Sequence, residues 1–406
     1  MVTPTDTRPG TVGSRFGLWV VTAVLGLFLF AAGAPTPLYG IYAARWGFTP
    51  ATLTLVFAVY AIALLGTLLV AGSVSDAVGR RPVILTALAL QALSMVAFVL
   101  ADGLGWLFAA RVGQGVATGL VTAAVAAALI DHQPANRPGL GPLLNAVTPM
   151  VGLALGSLVA GALVQYAPHP LRLVYVLMFA GCVVLGAAMT RVPESVTDRR
   201  RLELRPRVGI DPAARPMFWV ALPCIVASWA LGGLFLSLGP SLIRQLDHST
   251  DHLLGGAIAF ALCAAGAVAA ILVREWTSQR AMLTGCALLV GGLVVAISAI
   301  TAGDGLLLLA GSVVAGAGFG SAFLGAFRTV VGAADPARRG ELIAALYVAA
   351  YLAFSVPAVL AGLVTTRVGL RATSVGYAAV VAILAAASLV AAQRRRAATQ
   401  QTARAR

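Results

Sequence analysis

Twelve runs of predominantly apolar residues, each set off by a short break holding charged, Gly or Pro residues, divide this 406-residue chain. They lie near 16–42, 53–75, 82–101, 104–130, 141–166, 172–192, 217–243, 253–273, 281–300, 305–331, 342–366 and 372–392. Such runs match the roughly 20 residues a helix needs to cross a hydrocarbon core about 30 Å thick. A helix also satisfies its own backbone hydrogen bonds, as lipid requires. Composition removes the soluble alternative: 60% of residues are hydrophobic and 10% charged, whereas a soluble domain carries about 25% charged residues to cover its surface. The expected class is an all-α membrane protein with twelve transmembrane helices. Arg8 and Arg15 before a run ending Ala31-Ala32-Gly33-Ala34 imitate a signal peptide. That run is too long for a signal core and leads into Pro35, so it is read as the first span.

The net charge of +14 comes from 28 Arg and no Lys. In a soluble domain it would suggest nucleic acid; here the Arg sit in the breaks, so no nucleic-acid partner is expected. With the N-terminus placed in the cytoplasm, 21 Arg fall on inside segments and five outside (Arg45, Arg172, Arg244, Arg367 and Arg371). That asymmetry obeys the positive-inside rule, and the reversed topology violates it. The expectation is a multi-pass protein of the bacterial inner (cytoplasmic) membrane with both termini cytoplasmic.

The longest polar stretch, Arg191 to Arg215, mixes Arg with Glu194, Asp198, Glu203 and Asp211 and separates six runs from six. Weak self-similarity at an offset near 200 supports the division: Asp102-Gly103-Leu104 matches Asp304-Gly305-Leu306, Ala160-Gly161 matches Ala361-Gly362, and Leu171-Arg172 matches Leu370-Arg371. The expected organisation is a cytoplasmic tail (1–15), a six-helix bundle (16–192), an Arg-rich linker (193–215), a pseudo-symmetric second bundle (216–392) and a basic tail (393–406). The four Cys lie inside apolar runs without CxxC spacing and read as small packed hydrophobes, with neither disulfide nor metal.

Between the second and third runs stands Gly72-Ser73-Val74-Ser75-Asp76-Ala77-Val78-Gly79-Arg80-Arg81-Pro82. This resembles the G-x-L-a-D-r-x-G-r-k signature of the major facilitator superfamily. Gly72, Asp76, Gly79, Arg80 and Arg81 match, while Val74 and Ala77 depart from the pattern. The fourth run adds Arg111-Val112-Gly113-Gln114-Gly115-Val116-Ala117-Thr118-Gly119, similar to the family's R-x-x-q-G-x-g stretch. The resemblance implies the family's two-bundle fold and an Asp76 that locks the cytoplasmic ends of the bundles together in one state. Physical chemistry agrees that Gly79 permits a tight turn and that Arg80 and Arg81 suit anionic headgroups. The fifth run carries Asn145, Thr148, Pro149, Gly152 and Gly156 where the family's proton-driven exporters have g-x-x-x-G-P-x-x-G-G. The match is poor, and a close-packed helix explains the residues equally well.

No Asp, Glu or His lies well inside a run, so a buried carboxylate of the kind proton-coupled carriers use is not expected. Arg111 does enter the membrane, about 10 Å deep at 1.5 Å per residue, and needs a counterweight. Gln114, Thr118 and Thr122 share its helical face, which predicts a polar stripe lining a water-filled cavity; a structural Arg bonded to carbonyls is the competing reading. Arg328, near an inner helix end, reads either as a cavity residue or as a side chain that snorkels to the interface. Tyr60, Trp229, Tyr347 and Tyr351 are further cavity candidates, the last two four residues apart with Ser355 on the same face. Tyr39 reads as an interface anchor.

No intramembrane catalytic constellation and no Lys for a phosphate-binding loop are present, so neither an enzyme nor an ATP-driven pump is expected. The reading is a cofactor-free, monomeric carrier moving a small organic solute by alternating access, weighted toward export of amphipathic, drug-like compounds. Its expected partners are that solute, a proton or another coupling ion, and membrane lipid. Uptake of an anionic metabolite and a non-transporting sensor are the alternatives.

Overall fold

The computed structural model describes residues 14–71, 74–137, 139–196, 208–210, 212–248, 251–335 and 338–404. Gly72 and most of the Arg-rich stretch after 196 lie outside them. Among the described residues the chain is helical, with no strand. Its helices are α1 (Arg15–Gly33), α2 (Tyr39–Trp46), α3 (Pro50–Ala71), α4 (Val74–Val78), α5 (Arg80–Val99), α6 (Leu104–His132), α7 (Leu140–Tyr166) and α8 (Leu173–Met189). They continue with α9 (Arg215–Ser237), α10 (Gly239–Leu246), α11 (His252–Leu272), α12 (Ser278–Ala302), α13 (Gly305–Gly332), α14 (Arg339–Val368) and α15 (Leu370–Arg404). Eleven spans are long and apolar enough to cross a membrane. The twelfth, α8, has 17 residues and reaches about 25 Å.

Helix starts follow the sequence. The Ser14 hydroxyl accepts from Gly17 N–H, and the Asp304 carboxylate accepts from Leu307 N–H at 2.9 Å. Both satisfy amide donors that a first turn otherwise leaves open. Gly303, at φ +78°, ends α12 in the left-handed region that favours glycine.

Two expected spans are broken. The first, expected over 16–42, stops at Gly33 and resumes through a 3₁₀ turn (Thr36–Leu38) into α2. The seventh, expected over 217–243, restarts at Gly239 as α10. Prolines open both restarts, Pro37 and Pro240, because a prolyl ring clashes with the preceding turn and offers no N–H. Their separation repeats the offset seen in the sequence.

Small residues let the helices approach closely. A side chain on Gly292 would strike the Ala315 backbone, and one on Gly318 would lie 2.9 Å from the Gly285 carbonyl, so α12 and α13 pack nearly backbone to backbone. The largest apolar core draws wholly on residues 214–392. A second core joins Ala31, Phe57, Ala154 and Tyr175 to Leu236, Ala259 and Cys263, and so crosses from the earlier helices to the later ones.

Cross-chain contacts identify two faces. Arg80 meets Asp131 and Glu194, Ser195 meets Asp131, and Gly17 lies against His132; this face carries the start of α1 and is named the termini face for it. Gly40 lies against Arg244, Gln165 bonds His252, and Thr54 abuts Gly362 on the opposite face.

Candidate functional site

Arg111 sits seven residues into α6 from the far face and is only 1% exposed. Its Nε donates to the Tyr39 hydroxyl at 2.7 Å, Nη2 donates to the same oxygen, and Nη1 donates to Gln114 Oε1 at 2.6 Å. Gln114 Nε2 in turn donates to the Ala31 carbonyl at 2.8 Å, where α1 approaches its broken end. The rings of Tyr39 and Tyr60 lie 5.3 and 5.2 Å from the guanidinium carbon. Hydrogen bonds from a charged group contribute about 1.5–3 kcal/mol each. Three of them offset the roughly 2.5–3.5 kcal/mol that a mid-helix Arg costs on insertion scales.

This geometry corrects two expectations. Arg111, Gln114 and Thr118 do not wall a water-filled cavity in this conformation; all three are buried. The Thr118 and Thr122 hydroxyls bond carbonyls of their own helix, Gln114 O at 2.8 Å and Thr118 O at 2.6 Å. Tyr39 is not an interface anchor, because the break at Pro35 to Leu38 places it in the interior at 2% exposure as the acceptor for Arg111.

Aromatic residues gather where α3, α9, α13 and α14 meet. Phe319, Phe323 and Phe327 recur every four residues on α13, and their rings follow one another at 6.5 and 5.7 Å. Phe327 meets Tyr347 at 6.4 Å, Tyr347 meets Tyr351 at 6.2 Å, and Tyr351 meets Trp229 at 4.9 Å. Phe354 contacts Trp229 and, across to α3, Phe57 at 4.9 Å. Tyr60 belongs to a small buried cluster with Ala32, Ala61 and Leu64, against which Tyr351 and Phe354 pack. The row's members on α9, α13 and α14 are partly exposed rather than sealed in the core. Trp229 Nε1 is buried without a hydrogen-bond partner.

Trp229, Tyr347 and Tyr351 therefore come together, and Tyr60 links them to Arg111. Asn145 is half-buried on α7. Arg328 is corrected as a cavity residue: its Nη1 donates to the Arg274 carbonyl at 2.8 Å, at the end of α13 near the α11–α12 loop. A long cationic side chain there reaches the polar edge rather than the interior. Sequence reasoning missed Tyr39 and the phenylalanines of α13, although Phe319, Phe323 and Phe327 stand at helical spacing.

The far face is closed by backbone-close packing. A side chain on Gly256 of α11 would collide with the Ser157 carbonyl of α7 and lie 3.2 Å from Leu158 Cα. A side chain on Gly362 of α14 would collide with Thr54 of α3. Arg244 bonds the Pro240 carbonyl at 3.1 Å, lies 3.0 Å from His252 Nδ1, and presses on Gly40. Burial lowers the pKa of this guanidinium. The seam continues inward to Met150, which lies against Gly266.

The termini face is held by charge. Arg80 pairs with Asp76, bonds Ser75 Oγ at 2.7 Å and lies 3.5 Å from Asp131. Glu194 accepts from Arg80 N–H at 2.9 Å and Arg81 N–H at 3.0 Å, capping α5 in place of a local side chain. Gly79, at φ +117°, leaves room for that carboxylate, since a side chain there would lie 2.6 Å from Glu194 Oε2. Arg80 thus turns to acidic neighbours rather than to headgroups, and each of these pairs stays among the first six spans and the start of the linker that follows them.

Comparison with known proteins agrees with this architecture. Residues 18–297 match the model of the Major Facilitator Superfamily. A segment of 115 residues is 33% identical to an uncharacterized MFS-type transporter, Rv1250, of Mycobacterium tuberculosis (strain ATCC 25618 / H37Rv). The match covers 28% of this chain and only 20% of that protein's length. In three dimensions the chain resembles a bacterial homolog of the human lysosomal transporter Spinster in its inward-facing, unoccupied conformation, with TM-score 0.76 and 15% identity. That alignment covers 94% of this chain and 98% of the other. A point mutant of the nucleoside transporter NupG aligns with TM-score 0.72 and 13% identity, over 93% and 100% of the two chains. These structural likenesses speak for the fold; the sequence match, over more than half of the chain, makes this protein a member of the major facilitator superfamily.

Proposed function

We propose that the protein is a secondary active or facilitated carrier that moves a small, largely apolar aromatic solute across the bacterial cytoplasmic membrane, in the direction of export. The observation that carries this reading is the partly exposed row of Phe323, Phe327, Tyr347, Tyr351 and Trp229, in which no member bears a charge. Transport sites in such folds lie near the bilayer midplane between the two repeats. An apolar row there suits an amphipathic compound partitioning from lipid.

In this reading residues 16–192 and 216–392 move as two bodies joined by 193–215, with the termini face toward the cytoplasm as the Arg distribution requires. The conformation described is the one open toward the termini, because the seam between the bodies runs inward from the far face. Asp76 holds the opposite state, in which the termini face closes. Coupling to a proton or another ion uses a group at a face, since no carboxylate or His sits in the bilayer interior of the sequence. Uptake of an anion gripped directly by Arg111 is less favoured, since every guanidinium nitrogen already has a partner.

The test is solute-dependent flux through purified protein in proteoliposomes, guided by growth of deletion and overexpressing strains across a toxic-compound panel. Tyr351→Ala and Trp229→Ala should each lower flux at least tenfold with normal yield. Wild-type flux in both variants would remove the site from the aromatic row, and a panel without any transported compound would favour a sensor.

A further inference from the structure

We propose that Arg111 and Trp229 together set the charge class of the solute: the site accepts aromatic compounds that are neutral or anionic and offer a hydrogen-bond acceptor, and it rejects organic cations. The inference rests on the aromatic row being the solute site.

Arginine keeps its proton in proteins, so the guanidinium of Arg111 is a fixed positive charge. Every partner it has is neutral: the Tyr39 hydroxyl, the Gln114 amide, and the rings of Tyr39 and Tyr60. The carboxylates lie at the faces instead. Asp76, Asp131 and Glu194 sit on the termini side, and Asp102, Asp251 and Asp304 cap or precede helices on the other. Hydrogen bonds to neutral groups spread the charge without cancelling it. In a dry, low-dielectric interior its field reaches further than in water.

Tyr60 carries that field to the solute site. One face of its ring lies 5.2 Å from the guanidinium carbon, and the buried cluster it forms with Ala32, Ala61 and Leu64 packs against Tyr351 and Phe354. A unit charge on the order of 10 Å away, at an effective dielectric of about 20, changes affinity roughly tenfold. Aromatic rings attract cations in general, but Tyr39 and Tyr60 already face Arg111. An incoming cation would meet that charge behind them.

Trp229 points the same way independently. Its indole nitrogen only donates, and here it is buried with no partner. A buried donor left unmet is unfavourable, so a ligand that brings a carbonyl, ether or carboxylate oxygen gains by meeting it. An ammonium group brings only donors and leaves it unmet.

Three probes of one shape and different charge decide the matter at pH 7: 2-naphthoate, 2-naphthamide and 2-naphthylmethylammonium, bound to the purified full-length protein. The ammonium should bind at least tenfold more weakly than the amide, and the carboxylate at least as tightly as the amide. Arg111→Gln should shrink the ammonium penalty to less than threefold, while Arg111→Lys, which keeps a charge, should retain it. Trp229→Phe should weaken the amide and carboxylate about fivefold or more and leave the ammonium unchanged; this variant and Arg111→Lys decide the case if Arg111→Gln does not fold. Ammonium binding equal to amide binding in the wild type overturns charge selection while leaving the aromatic site standing. Loss of the penalty in Arg111→Lys, or uniform weakening in Trp229→Phe, overturns it as well. Absence of binding by all three overturns the aromatic site and this assignment with it.

Discussion

The two faces of this molecule are held by different physics. On the far face, α7 meets α11 and α3 meets α14 with glycine against backbone or side chain, at Gly256–Ser157 and Gly362–Thr54. That seam is dry and joins early helices to late ones. On the termini face Asp76, Arg80, Asp131 and Glu194 form a polar network that joins the first six spans to the start of the linker. Close packing is short-ranged and tolerates no added volume, whereas ion pairs at an aqueous edge exchange readily for water. A carrier alternating between two closures gains from one stiff seam and one exchangeable set of charges. That contrast accounts for the acidic and basic residues of the signature facing one another here instead of reaching across.

The largest effect is expected where the seam is tightest. Gly256→Leu adds four carbons against the Ser157 carbonyl and Leu158 Cα, neither of which can yield without moving α7. Overpacking of this kind costs about 1–3 kcal/mol, enough to shift a conformational equilibrium roughly 5- to 150-fold. Flux should fall at least tenfold, and a cysteine placed at Val164, buried in this conformation, should become reactive from the far face. A variant that transports normally with an unreactive cysteine at 164 would show that this seam does not determine the closure.

Next comes the centre, between the two closures. Arg111→Ala strands Gln114 Oε1 and the Tyr39 hydroxyl in a dry interior, at about 1–3 kcal/mol for each group left unpaired. A melting temperature lowered by several degrees is expected together with lost transport. Arg111→Lys should restore little stability, since one ammonium cannot span both partners as a planar guanidinium does. Unchanged melting for Arg111→Ala would contradict the bonded arrangement described here.

A smaller loss is expected at the linker anchor. Glu194→Gln keeps an acceptor for the Arg80 and Arg81 amides but removes a negative charge from the start of α5. Capping and dipole effects of this kind are about 0.5–1 kcal/mol. Thermal unfolding should record a drop of a few degrees at most, with flux largely kept; abolished flux would make Glu194 part of the gate rather than an anchor.

The span pattern is open to sequence reasoning because lipid imposes one rule on every crossing: about 20 apolar residues, with charges at the ends. The prolines that break the first and seventh spans give no such signal, since Pro149, Pro223 and Pro357 lie inside continuous helices. A proline alone does not say which outcome tertiary packing selects. At the centre, depth singles out Arg111, but helical periodicity cannot show that the face it shares with Gln114 and Thr118 turns toward α1 and Tyr39. Periodicity places residues on a face of one helix; what that face meets depends on the other helices. For the same reason Tyr347 and Tyr351 are recognisable as a pair, whereas their continuation through Trp229 on α9 and Phe327 on α13 requires three helices to be assembled.

The smallest effect on this conformation is expected at Asp76, and its smallness is what makes it informative. Its carboxylate pairs with Arg80 four residues on, at a position 36% exposed, where ion pairs contribute about 0–1 kcal/mol. Arg80 retains Ser75 and lies near Asp131 when Asp76 is neutralised. Asp76→Asn should therefore melt within about one degree of wild type and bind solute normally in this conformation. Transport should nevertheless slow, because a cycle must also visit the state closed at the termini face, where the family resemblance assigns Asp76 its lock. Cysteines near the inner ends of α3 and α14 should then stay reactive for a larger fraction of time in Asp76→Asn than in the parent protein. Equal reactivity with equal flux would reduce Asp76 to a surface pair and leave the dry seam as the sole closure with an energetic role. Slower flux with an unchanged melting temperature would support the division of labour between a packed face and an ionic one.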